Sequence, residues 1–130
     1  MPGSREPDYA KLSAFRRELR VFLKWSDERA REVGLTAQQH QLMLAIRGRQ
    51  SPPTIGELAD ELMLRHHSAV ELIDRAEQAG LVARDRSAGD RRQVHIALTR
   101  AGQRLLRKLS EQHQREIRRL APVIEAFGDE

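Results

Sequence analysis

Residues 54–99 constrain the fold of this chain more than any other stretch, because their pattern predicts two short helices followed by a two-stranded ribbon. Thr54 and Glu57 fit a capping box, in which each side chain accepts a hydrogen bond from a backbone N–H that the helix start leaves unpaired. A second apolar helical face begins after a short link at residues 63–65, and Gly80 can end that helix in the left-handed conformation. Two short helices with so brief a link predict a helix-turn-helix, whose second helix normally enters the major groove of DNA. The two apolar faces are formed by Ile55, Leu58, Ala59 and Leu62, and by Ala69, Val70, Ile73 and Ala76.

The residues after Gly80 predict a basic hairpin. Val94, Ile96 and Leu98 alternate with polar or small residues, which is the period of a half-buried strand. The partner strand is expected over residues 81–86, with a turn between the strands at residues 87–91. A helix-turn-helix followed by a basic hairpin is a winged helix. We therefore expect a mainly α fold with a small β-ribbon.

Positive charge is concentrated in one part of the chain. Residues 81–108 carry eight Lys or Arg against two acidic residues, whereas the rest of the 130-residue chain carries 15 basic and 17 acidic residues. Such a distribution is typical of a surface that faces nucleic-acid phosphates. The alternative is a solvated charged face, but next to a winged-helix pattern we favour DNA.

Several function classes are disfavoured by what the sequence lacks. It contains no cysteine, which excludes disulfides, thiolate metal sites and cysteine redox switches. No apolar run approaches the ~20 residues that cross a bilayer, and the N-terminus has no apolar signal region, so we expect a cytoplasmic protein. The sequence also lacks a glycine-rich phosphate loop and an HExxH motif, and nothing in it suggests an enzyme, a cofactor or a metal site.

The two ends of the chain predict long amphipathic helices, over residues 8–33 and 100–128, around a lobe at residues 35–99. Pro122 is expected to begin a short final helix that reaches Phe127. The two apolar seams could pack on each other within one chain or on the same helices of a second chain. A chain of this length has little other core to cover them, so we expect a homodimer. The expected dimerisation residues are Leu12, Phe15, Leu19, Leu109, Ile117, Leu120, Ile124 and Phe127.

Over residues 8–128 the chain resembles the MarR family of winged-helix transcriptional regulators. The resemblance is carried by the long first helix, Leu35-Thr36-x-x-Gln39, Ile55-Gly56-Glu57-Leu58-Ala59, Asp74-Arg75 before Ala79-Gly80-Leu81-Val82, and Asp90-Arg91-Arg92 leading through Val94 to Leu98-Thr99-x-x-Gly102. It implies a homodimer formed by the terminal helices that binds a palindromic operator, in most members as a repressor. It also implies a possible small aromatic or phenolic effector, bound between the dimer helices and the DNA-binding lobe.

The resemblance also assigns candidate DNA-binding residues. The family's wing motif falls on Asp90 and Arg92, with Arg92 expected in the minor groove and Asp90 orienting it. The groove-reading positions fall on residues 65–71. The full candidate set is Arg65, His66, His67, Ser68, Glu71, Arg75, Arg84, Arg86, Asp90, Arg91 and Arg92.

Helix geometry leaves alternatives open within this set. At 100° per residue, Glu71 points outward, where it could accept a hydrogen bond from a cytosine amino group or form an i,i+4 pair with Arg75. His66 points partly inward and is equally compatible with a packed core histidine. Asp74 is unfavourable on a helix that faces phosphates, so we expect it to pair with a nearby arginine. Arg84 and Arg86 fit phosphate contacts or surface charges better than base reading.

The resemblance makes Phe15, Trp25 and His40 candidates for an effector pocket, although each is compatible with ordinary core packing. His113 is interpreted as a polar position in the last helical seam. Taken together, the sequence predicts a ligand-responsive repressor that binds a palindromic operator as a homodimer. The alternative is a winged-helix module that binds another protein and has no specific operator.

Overall fold

The computed structural model describes residues 6–86 and 93–128, and within these ranges it contains five helices and two strands. The elements are α1 (Tyr9–Glu32), α2 (Ala37–Arg47), α3 (Ile55–Glu61), α4 (His66–Gln78), β1 (Val82–Asp85), β2 (His95–Leu98) and α5 (Arg100–Gly128). The strands pair antiparallel, with Val82 opposite Leu98 and Asp85 opposite His95. The predicted fold class, mainly α with a small β-ribbon, is confirmed.

The helix starts are set by side-chain caps. Thr36 and Thr54 both form complete capping boxes, with Gln39 and Glu57 as their respective partners. The hydrogen bonds from Thr54 lower the pKa of Glu57 below its ordinary value, because they stabilise the carboxylate form. α2 and α3 therefore begin where the sequence predicts.

Three helices end with the same hydrogen-bonded turn. After α1 and α4, Gly34 and Gly80 adopt φ values of +83° and +76°, and the following residues, Leu35 and Leu81, are buried. The N–H of Leu81 donates to the carbonyl of Ala76 at 2.9 Å, which is the longer bond of a Schellman motif. α3 ends in this way without a glycine, since Met63 takes φ +55°. The helix-turn-helix link therefore holds a residue in a conformation that costs roughly 1–2 kcal/mol without glycine.

The centre of the lobe is a compact apolar core. Leu42 of α2, Leu58 of α3, Ile73 of α4 and Ile96 of β2 are completely buried. The N–H of Ile96 also donates to the carbonyl of Pro53 at 2.8 Å, so β2 is tied to the residues that lead into α3. The ribbon is thus joined to the helix-turn-helix in two ways: by this hydrogen bond of β2 and by the chain connection from α4 to β1.

α5 is joined to the lobe where the ribbon ends. The hydroxyl of Thr99 donates to the carbonyl of Gly80 at 2.6 Å and accepts from the N–H of Gly102 at 3.0 Å. The N–H of Thr99 donates to the carbonyl of Leu81 at 3.0 Å. Gly102 lies so close to this carbonyl that a Cβ atom there would be 2.2 Å from the oxygen. The start of α5 therefore packs directly on the turn after α4.

α5 runs without a break through Pro122, so the expectation of a separate short helix beginning there was wrong. Proline removes one N–H, which in a helix would bond to the carbonyl four residues earlier. Here that carbonyl belongs to Arg118, in an exposed turn of α5 where solvent can satisfy it. The helix therefore tolerates the proline. The side chain of Phe127 lies outside the described part of the chain.

α1 and α5 pack on each other in their middle sections. The hydroxyl of Ser26 lies 2.6 Å from Nε2 of His113, and Nδ1 of His113 lies 2.7 Å from the carbonyl of Leu109. A carbonyl can only accept, so Nδ1 carries the proton and Nε2 accepts from Ser26. The rings of Trp25 and His40 are each 4.8 Å from the His113 ring, measured between centroids. This buried cluster joins α1, α2 and α5, and confirms His113 as a polar seam position.

The remaining seam residues divide into two groups. Leu109 and Leu120 are 0% and 8% exposed in the single chain, so they belong to its own packing, and their assignment to a dimer surface is corrected. By contrast, Leu12, Leu19, Ile117 and Ile124 are 38–53% exposed. Intramolecular packing therefore covers only part of the two seams.

Gly102→Ala is expected to lower the free energy of unfolding by roughly 1–3 kcal/mol, since the new methyl group overlaps a backbone carbonyl that cannot move independently. Urea denaturation followed by circular dichroism measures the change. Gly56→Ala is the matched control, because its Cβ would meet only the Thr54 hydroxyl, at 4.0 Å. Equal stability of the two variants would contradict the close contact between α5 and Leu81.

Acid is expected to destabilise the chain through His40. Burial lowers the pKa of His40 below its ordinary value of 6.5, His113 lowers it further, and Asp27 acts weakly in the opposite direction. Below about pH 6.5 the unfolded chain therefore takes up a proton that the folded chain resists, and the free energy of unfolding falls as the pH decreases. Above this range His40 is neutral in both states and contributes no pH dependence. His40→Gln should flatten the decrease, whereas His67→Gln, on the exposed face of α4, should not. The same slope in wild type and His40→Gln would count against this role.

Candidate nucleic-acid interface

α4 presents one face to the core and leaves the opposite face open. Ala69, Leu72, Ile73 and Ala76 are buried, and Leu72 was not among the core positions expected from the sequence. The outward face is formed by exposed side chains near the N-terminal end and along the helix: Arg65, His66, His67, Glu71 and Arg75. Ser68 is half-buried at the edge of this face. The core contacts thus orient the candidate groove-reading residues toward solvent.

The structure bears on the alternatives that helix geometry left open for His66 and Glu71. His66 is exposed, so its interpretation as a packed core histidine was wrong; as the first residue of α4 it lies beyond the apolar face. Within the part of the chain that the structure describes, no ion pair or hydrogen bond joins Glu71 to Arg75. Among the residues that the structure describes, none is paired with the carboxylate of Glu71.

Arg84 links the ribbon to the outer side of α4. Its Nη2 lies 2.6 Å from Oδ1 of Asp74, and its Nη1 lies 2.5 Å from Oε1 of Glu77. The bond to Asp74 and the charge of Glu77 raise the pKa of Arg84 above its ordinary value. The expectation that Asp74 pairs with a nearby arginine is confirmed. Arg84 itself has its guanidinium engaged inside the lobe, where it pairs with both acids and its single charge offsets one of the two.

The remaining ribbon residues lie at or beyond the end of β1. Arg86 follows β1 directly and is exposed. Asp90, Arg91 and Arg92 fall in residues 87–92, outside the described residues. The structure therefore describes the paired strands of the ribbon. The DNA-binding role of Asp90, Arg91 and Arg92 remains a prediction from the sequence.

The positive charge of residues 81–108 is divided among several places. Arg84 is paired with α4, and Arg86 is at the exposed end of β1. Arg100, Arg104 and Arg107 line a groove between the end of α2 and the start of α5. Their spacing of four and three residues, on one face of a helix, was the available sequence signal for this groove.

The three candidate effector residues do not form one site. Trp25 and His40 are packed in the ring cluster around His113, together with Phe22, whose ring centroid is 5.9 Å from that of His113. Phe15 is half-buried farther toward the N-terminus of α1. The groove between α2 and α5, with a volume of about 620 Å³, is lined by none of the three.

Other kinds of site find no support in the described ranges. Among residues 6–86 and 93–128, no group of three or more His, Asp or Glu side chains is arranged to hold a metal ion. None of the described helices is both long enough and apolar enough to span a membrane.

Comparison with known proteins agrees with this geometry. A model of the MarR family matches residues 33–93, from the end of α1 to the ribbon. The HTH-type transcriptional regulator PecS of Dickeya dadantii is 31% identical over 98 residues, which are 74% of this chain and 57% of PecS. The chain thus spans little more than half the length of this curated relative.

Solved structures share the fold at low sequence identity. A MepR–DNA complex from Staphylococcus aureus superposes with a TM-score of 0.71 and 21% identity, covering 90% of this chain and 85% of that one. CouR of Rhodococcus jostii, in complex with p-coumaroyl-CoA, has a TM-score of 0.73 and 21% identity, covering 89% and 85%. The match of residues 33–93 to the family model and the 31% identity to PecS lead to one conclusion: the chain belongs to the MarR family, with the winged helix-turn-helix fold that the solved structures share.

Proposed function

We propose that this protein is a transcriptional regulator, and not an enzyme, that represses transcription by binding a pseudo-palindromic operator as a homodimer and whose DNA binding responds to a small ligand. The observation that carries the proposal is the outer face of α4. Its side chains are exposed, while its inner face is fixed in the core and its neighbouring acids, Asp74 and Glu77, are both paired with Arg84. A rigid helix that presents open polar groups is suited to reading base edges in the major groove.

In this proposal the recognition residues have different tasks. Arg65, His67 and Ser68 lie at the N-terminal end of α4, where base edges are normally met. Glu71 accepts from a cytosine amino group, because no cation on its own helix occupies it. Arg75, His66 and Arg86 contact phosphates nearby. Arg91 and Arg92 extend the interface into the minor groove, with Asp90 orienting Arg92.

The homodimer is supported by the apolar side chains that the single chain leaves uncovered. Leu12 and Leu19 of α1, and Ile117 and Ile124 of α5, are exposed large hydrophobic residues on the two terminal helices. Burial of such a surface against the same surface of a second chain is the ordinary way to form a twofold dimer. We therefore propose residues 8–33 and 100–128 as the dimerisation helices, with Phe15 and Phe127 adding to them, and residues 35–99 as the DNA-binding lobe.

A ligand response is proposed because the dimer helices and the lobe meet in one small region. The cluster of Trp25, His40 and His113 joins α1, α2 and α5 there, so a change in the packing of α5 would be felt by the lobe. CouR, which shares the fold, was crystallised with p-coumaroyl-CoA. We propose a small effector with an aromatic or phenolic part, and, since the partner is an operator, a cytoplasmic location.

The proposal is tested by selecting genomic DNA fragments with the purified protein at two salt concentrations. We expect one palindromic motif with half-sites about 34–36 Å apart, retained at the higher salt. The affinity should be on the order of 10⁻⁸ to 10⁻¹¹ M and should fall with salt, since phosphate contacts release counterions. Fragments without a shared motif would contradict an operator and favour a winged helix that binds another protein.

Arg92→Ala should weaken binding to the selected operator by roughly tenfold to a hundredfold, as expected for loss of one well-placed arginine contact. Fluorescence anisotropy with labelled operator measures the affinity, and size-exclusion chromatography shows whether the oligomeric state is kept. Arg118→Ala removes an exposed arginine of α5 and serves as the control. Unchanged affinity in Arg92→Ala would disprove the assignment of the wing motif.

A further inference from the structure

The outer face of α1 carries a row of positively charged side chains. We call the cationic row the four basic residues that follow one another along this face: Arg17, Arg20, Lys24 and Arg31. At about 100° per residue, they lie between about 120° and 180° around the helix from Ser26, which is buried against α5. All four side chains are exposed, and the row extends for about 21 Å at a rise of about 1.5 Å per residue.

The charges of the cationic row are not balanced by acids within the chain. Across the part of the chain that the structure describes, no acidic side chain forms an ion pair with any of the four. Glu18 follows the first of them in sequence but is turned toward α5, where it lies 3.7 Å from Arg119. Glu28 is exposed at the edge of the row and pairs with none of its members. Like charges four residues apart on a helix repel each other, so an anionic partner would stabilise the row.

The cationic row is separate from the apolar seam of α1. Arg17 and Lys24 lie about 120–160° around the helix from Leu12 and Leu19, the exposed leucines of that seam. A second chain packed on the seam would therefore leave these two cations in solvent. α1 packs on α2 and α5 through its other sides, so the row also points away from the rest of the chain.

The arc of α1 that the cationic row covers contains no apolar or aromatic side chain, since Ser13 is its only other residue. A folded protein partner normally needs aromatic or aliphatic anchors at the centre of the interface, and a helix on a lipid surface inserts an apolar face. Single-stranded nucleic acids are held by stacking on aromatic side chains. A row that offers only cations instead matches the sequence-independent contacts that proteins make with the phosphates of duplex DNA.

We propose that the cationic row of α1 binds the phosphate backbone of a second DNA duplex, whatever its sequence. Three of the four side chains are arginines, whose planar guanidinium groups bind phosphate oxygens in a bidentate manner. Because the row points away from the lobe, the duplex that it binds is a different one from the operator at α4. The protein thereby links an operator to another segment of DNA. This linking role rests on the proposed function, whereas binding of a duplex by α1 does not.

The test is the capture of a labelled operator on beads that carry a duplex without the operator sequence. The fluorescent operator fragment is cut to the palindrome, so that it has no flanking DNA to reach α1. Wild-type protein is compared with an α1 variant, Arg17→Gln/Arg20→Gln/Lys24→Gln. Its three side chains are exposed, and glutamine is a good helix former, so the variant should keep the fold.

The matched control is an α5 variant, Arg107→Gln/Arg115→Gln/Arg118→Gln, which loses the same charge from exposed positions on the outer face of α5. Circular dichroism checks the fold of both variants, and size-exclusion chromatography checks their oligomeric state. Fluorescence anisotropy measures the affinity of each protein for the free operator.

We expect wild-type protein and the α5 variant to retain the labelled operator, with half-maximal capture at about 10⁻⁴ to 10⁻⁶ M protein at physiological salt. The α1 variant should need at least about tenfold more protein, because it lacks three phosphate contacts, yet should bind free operator as tightly as wild type. Lys24→Gln alone should reduce the slope of log affinity for the second duplex against log salt by about 1. Lys24→Arg, which keeps the charge, should leave the slope unchanged.

Capture by the α1 variant at wild-type strength would overturn the proposal, since the lobes would then bind both duplexes. An equal loss of capture in the α5 variant would overturn it as well, because general charge and not the row would be responsible. Wild-type protein that binds the operator but is not captured would refute the second surface and leave the proposed function intact. Binding of poly-L-glutamate, but of no duplex, to the row would assign it to an acidic protein instead.

If the protein selects no operator, direct binding of a labelled random duplex decides the question. Loss of this binding in the α1 variant but not in the α5 variant would uphold the row and refute the proposed function. Equal binding by wild type and the α1 variant, or no binding by either, would overturn the row.

Discussion

The contact between Gly102 and the carbonyl of Leu81 is the constraint on which the arrangement of this protein depends. Leu81 ends the turn after α4, begins the approach to β1 and accepts a hydrogen bond from the N–H of Thr99, where the ribbon ends. The end of α4, the ribbon and the long terminal helix therefore meet within one turn of backbone. Only glycine fits at position 102, since any side chain would overlap the carbonyl. A movement of α5 relative to the lobe must act through this junction.

Charged side chains have different partners on different faces of the protein. On the outer side of α4, Asp74 and Glu77 both pair with Arg84, whose single charge offsets one of the two and which at the same time ties β1 to the helix. The exposed residues of α4 are thereby left as the open polar groups of that face. The arginines at the start of α5 instead surround a groove with an apolar floor. A simple count of positive charge over residues 81–108 therefore overstates the part of it that can face DNA.

The terminal helices serve two kinds of packing along one seam. Their middle sections are closed within the chain by the Ser26–His113 hydrogen bond and by the aromatic rings around it. Their outer sections leave Leu12, Leu19, Ile117 and Ile124 exposed. A buried polar pair in the intramolecular section requires one relative placement of α1 and α5, because a shifted register would leave His113 without its hydroxyl partner. This placement in turn decides which apolar side chains the single chain leaves exposed.

The sequence by itself determined the features that depend on neighbouring residues. The capping boxes at Thr36 and Thr54, the left-handed ends at Gly34 and Gly80 and the alternation in β2 each involve side chains and backbone groups within a few positions, so their physics can be read locally. Met63 could not be predicted in this way. It takes the left-handed conformation that glycine favours because the core holds the two helices of the motif in place.

Tertiary structure decided whatever depends on distant partners. Leu109 and Ile117 both belong to the predicted seam of α5, but Leu109 packs in the apolar core whereas Ile117 is 48% exposed. Arg84 and Arg86 are equivalent in the sequence pattern, yet only Arg84 lies within reach of Asp74 and Glu77. Pro122 continues a helix because its turn is exposed, and the arginine groove exists because α2 packs beside α5. Periodicity specifies which side chains share a face, but the partner of that face is set by long-range packing.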